Sequence, residues 1–281
     1  MNRARALTAT ALLVASCGDS TPVTLKYHPA AGSTFRYVMN QDVKIQAEGD
    51  SADGAGQELT IRIGFTQTVK GPADLGTQVA VRVDSVTLMS PQAPPGASDQ
   101  ASQMLRGLES NIVFDDRMKV VTSDVANAAG VPPQMANQIA NGLRGASFPL
   151  PDRALSVGDS WSVQMEAPTP VPGLSEPLKL TYRVTLQDLT VTGADTVVRL
   201  ALETSFPKDP INLEVGGARA SMTINGTLRG EQEYSLARSA IVSVELKGTV
   251  RVSMRGGPMG DASMVMDQGL RLRLLDNPAT P

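Results

Sequence analysis

The sequence predicts a mainly β protein: a large curved antiparallel sheet, half-barrel or sandwich-like, carrying two short helices. Three observations lead to that expectation. Apolar residues recur at every second position over long segments, the period of strands with one apolar and one polar face. Turn-forming residues sit between those segments where hairpins need them. The 281 residues are 41% hydrophobic and 19% charged, which suits a substantial core rather than a disordered chain.

Along the chain, Gly32-Ser33-Thr34-Phe35 leads into a strand, and Leu59, Ile61, Ile63 and Phe65 then alternate with Thr60, Arg62, Gly64 and Thr66. The period returns in Val79, Val81 and Val83, in Leu180, Tyr182, Val184 and Leu186, and in Val198, Leu200 and Leu202. Val242, Val244 and Leu246 follow, then Val250, Val252 and Met254, and finally Leu270, Leu272 and Leu274. Hairpin turns are expected at Gly49–Gly56, Gly71–Gly76, Gly193-Ala194-Asp195 and Gly256–Gly260.

Two stretches break the alternation. Ser98–Ser110 places Ala101, Met104, Leu105, Leu108 and Ile112 at helical spacing, with Ser98 as N-cap. Pro133–Leu143 opens on proline and sets Met135, Ile139 and Leu143 four apart before Gly145.

The halves also echo each other. Gly32-Ser33-Thr34-Phe35 answers Gly158-Asp159-Ser160-Trp161, and Leu59-Thr60-Ile61-Arg62-Ile63 answers Leu180-Thr181-Tyr182-Arg183-Val184. The expectation is an internal duplication, with a first half over 25–150 that includes both helices and a second half over 151–281 sharing one sheet with it.

About ten long strands present roughly thirty inward side chains, which must be buried at about 25 cal/mol per Å² or left exposed. Two thin helices cannot cover that width. The sheet must therefore curl, stack as a sandwich, or leave part of its concave face to a ligand. Twelve methionines against 4% aromatics fit either an irregular aliphatic core or an adaptable binding surface.

Other classes of function are excluded by composition. A formal charge of −3 gives no basic footprint for nucleic acid. One Cys and one His cannot build a disulfide framework or a multi-ligand zinc site.

The Cys has its own reading. Arg3 and Arg5 precede the apolar run Ala6–Ala15, too short to span a bilayer, and the segment ends in Val14-Ala15-Ser16-Cys17. This resembles the lipobox of bacterial lipoproteins, in which small residues precede a Cys that is diacylglycerylated before cleavage. The resemblance implies a signal peptide over 1–16, palmitate-type acylation of Cys17, and a tether over 17–24, held to the membrane by several acyl chains. Loss of two arginines from the 25 basic residues would leave 23 against 28 acids, a formal −5. Gly18 after the Cys, where the enteric sorting rule places Asp for inner-membrane retention, points to the outer membrane, facing the periplasm.

With the opening Leu25-Lys26-Tyr27, the central Leu150-Pro151-Asp152-Arg153-Ala154-Leu155-Ser156-Val157-Gly158-Asp159-Ser160-Trp161 and the late Glu233-Tyr234-Ser235-Leu236 hairpin, the chain resembles a family of uncharacterised bacterial envelope lipoproteins. That resemblance carries no activity. In architecture alone, a curved sheet closed by helices is similar to the outer-membrane lipoprotein carriers.

Catalytic readings are weak. Asp159 and Ser160 fit a turn entering a strand, and His28, the only histidine, stands beside Pro29. Asp50 and Asp53 lack the ligand spacing of a calcium loop, Asp115-Asp116 marks a turn, and Asn225-Gly226-Thr227 reads as a strand irregularity. The expectation is a non-enzymatic lipoprotein without cofactor or metal. It would bind a hydrophobic or lipid ligand on the concave apolar face or, alternatively, serve as an interaction scaffold for an envelope protein complex.

Overall fold

The computed structural model describes residues 22–48, 56–126, 148–166, 179–207, 209–215, 217–256 and 260–275. Cys17, the expected helix at Pro133–Leu143, and Asp50 and Asp53 lie outside them. The strands are β1 (Thr34–Glu48), β2 (Gln57–Ala73), β3 (Gly76–Met89), β4 (Glu109–Phe114), β5 (Val120–Ala126) and β6 (Ser160–Glu166). There follow β7 (Lys179–Thr192), β8 (Asp195–Ser205), β9 (Ile211–Val215), β10 (Ala218–Ser235), β11 (Ala240–Gly256) and β12 (Ala262–Leu275), with one helix among the described residues, α1 (Ala97–Leu105).

All twelve strands join one antiparallel sheet in the order β5-β4-β3-β2-β1-β12-β11-β10-β8-β7-β6, with β9 beside β10. Strands of the first half and of the second thus meet at the β1–β12 pair. The mainly β, antiparallel fold class read from the alternation is the one observed.

Register assigns the two faces. The row Met39–Leu272–Val244–Gln232–Leu200–Leu186 points inward, as does Tyr37–Phe65 beside Leu274. The opposite face carries ion pairs such as the two-point contact of Arg251 with Glu48, at 2.9 Å to each carboxylate oxygen, which spans β12. That pair and the Ser263 hydroxyl hold the Glu48 carboxyl below the usual carboxylate range, and such exposed pairs add little stability.

The sheet curls without closing into a barrel. Laid flat, eleven neighbouring strands would extend about 48 Å at about 4.8 Å each. Yet the β4–β5 turn and strand β6 reach adjacent residues of one segment: the Leu150 N–H donates to the Arg117 carbonyl at 2.7 Å, and Trp161 Nε1 donates to the Pro149 carbonyl at 3.2 Å. The backbones of β10 and β11 approach closely. A Cβ on Gly230 would strike the Glu245 carbonyl and one on Gly248 the Thr227 carbonyl, so only glycine permits these backbones to cross so closely.

The sequence-based helix ends too late. Its chain leaves the helix at Gly107 (φ 84°), where the Gly107 N–H donates to the Val83 carbonyl and the Val83 N–H to the Leu108 carbonyl. Pairing with β3 therefore takes over, and Ile112 lies in β4 opposite Val79. The N-cap position is Gly96, in a left-handed conformation, not Ser98. The Ser98 hydroxyl instead accepts the Leu88 N–H at 3.1 Å and ties the helix to β3. Similarly, the Val242 alternation is broken by a bulge: Glu233 pairs Ser243 while Tyr234 pairs Ile241, so Ile241 packs on the core.

Among the described residues, two extended segments fill the curl at the end where β1 and β6 begin. Leu25 and Tyr27 from one, and Phe148, Leu150 and Leu155 from the other, are buried in the main core. Val23 and Leu155 exchange backbone hydrogen bonds at 2.8 Å, the Tyr27 N–H donates to the Asp116 carbonyl, and the Tyr234 hydroxyl donates to the Lys26 carbonyl at 2.8 Å. We expect Leu155→Ala to cost about 2–5 kcal/mol through the cavity it leaves. Tyr234→Phe should cost about 1–3 kcal/mol by orphaning that carbonyl. Denaturant midpoints at unchanged slope would measure both.

Candidate functional site

The other half of the concave face is built differently. On β12, β1 and β2 the inward residues Met264, Met266, Val43, Ile45, Leu59 and Ile61 are half-exposed and belong to none of the packed clusters among the described residues. Register makes them one floor: Val43 faces Leu59, and Ile45 lies opposite Met266. On one flank α1 packs Met104 and Leu105 against Val83 and Val86 of β3. On the other, Leu213 of β9 packs with Ala220, Met222, Ile224 and Val250. The result is a trough with an apolar floor between two packed walls.

Local sequence explains why these strands form and why the floor stays open. Val43 and Ile45 alternate with Asp42, Lys44 and Gln46, so the strand is amphipathic but brief in its apolar content. Gln41 and Gln268 stand inward where the trough meets the filled half, and their side-chain amides make no hydrogen bond to described residues. They give the trough one polar end.

Gln232 is the other unusual polar group. It is 0% exposed, in the row between Leu200 and Val244, and neither Oε1 nor Nε2 has a hydrogen-bond partner. A buried amide left so costs about 1–3 kcal/mol. Sequence reading missed it because a Gln inside an alternating strand is indistinguishable from one facing solvent when the strand's own apolar pattern is interrupted, as β10 is by Gly226 and Gly230.

The residues weighed for catalysis make local structural contacts. Asp159 Oδ2 accepts the Ser156 N–H at 2.9 Å and the Arg153 guanidinium at 3.0 Å, and these two hold its carboxyl below the usual range. Ser160 shares a hydrogen bond with the Thr185 hydroxyl at 2.8 Å. Asp115 Oδ1 accepts the N–H groups of Arg117 and Lys119 at 2.9 and 2.8 Å, closing the β4–β5 turn. His28 is exposed, and Asn225 lies exposed on β10 opposite Arg251. Among the described residues no three His, Cys, Asp or Glu side chains group to hold a metal.

No family model matches the chain, and no curated protein does. Among solved structures it is similar to lipovitellin, in a structure described as lipid-protein interactions in lipovitellin, with TM-score 0.53 and 12% identity. The match covers 90% of this chain and 26% of that one, so the chain spans about a quarter of that protein's length. At this identity the likeness is one of fold.

Gln232→Met should be neutral or stabilising, since it removes an unpaired amide at nearly constant volume. Thermal unfolding of the variant beside the parent chain measures it; a marked loss of stability would mean the amide has a partner.

Proposed function

We propose that this chain is a lipid-anchored lipoprotein of the bacterial envelope that shelters a hydrophobic or lipid ligand in the β12–β1–β2 trough, without catalysis. The observation that carries the reading is the floor itself: six inward apolar side chains left half-exposed beside a face that elsewhere is packed. Leaving such area in water is unfavourable by about 25 cal/mol per Å², and an apolar ligand recovers it. The fold likeness to lipovitellin, whose structure is described in terms of lipid-protein interactions, supports the same class of ligand. Acylation at Cys17, with the chain facing the periplasm from the outer membrane, follows the lipobox resemblance.

The test uses the Cys17→Ser chain carried behind a cleavable secretory signal in place of residues 1–16, which releases it from the membrane. It should pass from the membrane to the soluble fraction, and organic extracts of the purified protein should contain a defined lipid by mass spectrometry. Ile45→Gln with Met266→Gln should empty the extract and leave the unfolding temperature within a few degrees of the parent, because these half-exposed residues lie outside the packed clusters. A lipid-free parent chain that instead crosslinks to one envelope protein would overturn the ligand reading in favour of a scaffold.

A further inference from the structure

A second cavity lies in the filled half of the fold, away from the trough. Its volume is about 70 Å³. At about 10–15 Å³ for each water-sized group, it has room for about five to seven such groups, a small substituted ring and not an acyl chain. The walls are unusual for this protein. The chain has only ten aromatic residues, five Phe, four Tyr and one Trp, and five of them line this one space: Tyr27, Phe35, Tyr37, Phe65 and Phe114.

These rings are already arranged for planar partners. Tyr37 and Phe65 stack with centroids 5.2 Å apart and planes 21° from parallel, while Tyr27 meets Phe114 edge-on at 5.3 Å and 64°. Such geometry favours another flat ring over a puckered one. The wall also carries polar atoms with spare capacity. Tyr37 is 4% exposed, yet its hydroxyl makes no hydrogen bond to described residues. The Gln67 amide reaches only the Tyr27 hydroxyl, at 3.5 Å. Burial pushes both tyrosine hydroxyls well above their ordinary pKa, so each is a neutral donor and acceptor.

We infer that this aromatic cavity is a binding site for an uncharged planar five- or six-membered ring bearing one hydroxyl or carbonyl, its polar atom met by Tyr37 and Gln67. The site is separate from the trough and does not depend on the lipid reading.

Phenol and cyclohexanol, titrated calorimetrically into the Cys17→Ser chain, test it. Phenol should bind saturably and at least about tenfold more tightly than cyclohexanol. Tyr37→Phe should weaken phenol by about three- to tenfold, the worth of one hydrogen bond. Ala240→Leu, which extends a buried wall residue into the space, should abolish binding; should that variant fail to fold, the Tyr37→Phe result decides. Ile45→Gln with Met266→Gln should leave phenol affinity unchanged while the lipid is lost. No saturable phenol binding, equal binding of both probes, or affinity unaffected by Tyr37→Phe would overturn the assignment.

Discussion

Everything in this fold depends on one constraint: a twelve-stranded sheet with one largely apolar face has to remove that face from water. Hydrophobic burial is the largest favourable contribution to folding, and among the described residues the nine-residue helix α1, with no buried residue of its own, cannot supply it to a sheet this wide. The chain meets the constraint by curling and by laying two of its own extended segments into the curl. Leu25 and Leu155, joined through the Val23–Leu155 bridge, do from within the chain what a second sheet does in a sandwich.

Because those segments must themselves satisfy their backbone groups, they dictate the placement of polar residues around them. The Asp116 carbonyl, the Arg117 carbonyl and the Tyr234 hydroxyl are all used to dock them. This accounts for the motif-like stretches around Asp115 and Asp159. Their carboxylates shape the turns that carry or receive the extended segments. The filling reaches only as far as the segments do, and beyond it the β12–β1–β2 floor is left as a trough.

Legibility in the sequence followed the physics of each element. Strands β2, β7 and β8 were readable because each holds a run of three or four apolar residues at every second position, before the bulge at Leu186–Asp188 in the case of β7. Strand β10 was not, because its inward positions include Gly226, Gly230 and Gln232, chosen by the coiling of the sheet and by its interior. The helix was readable in its first two turns, but its end was not. Leu108 and Ile112 satisfy a helical period and a strand period equally, and only pairing with β3 chooses between them. Of the trough, only the abundance of methionine over the whole chain was visible, and it did not single out Met264 and Met266. Their partners Val43 and Ile45 became meaningful only through register across β1.

The sequence by itself determined the class of fold and the character of each face, since alternation and turn chemistry are local properties that any strand must display. It also excluded metal and disulfide frameworks that need several Cys or His. Tertiary structure alone decided which part of the apolar face is filled and which is open. That outcome depends on where residues 22–30 and 148–155 come to rest, more than a hundred positions apart in the chain, and on the order in which strands meet. The aromatic cavity is of the same kind: its five rings are scattered from Tyr27 to Phe114, and only the curl of the sheet brings them to one wall.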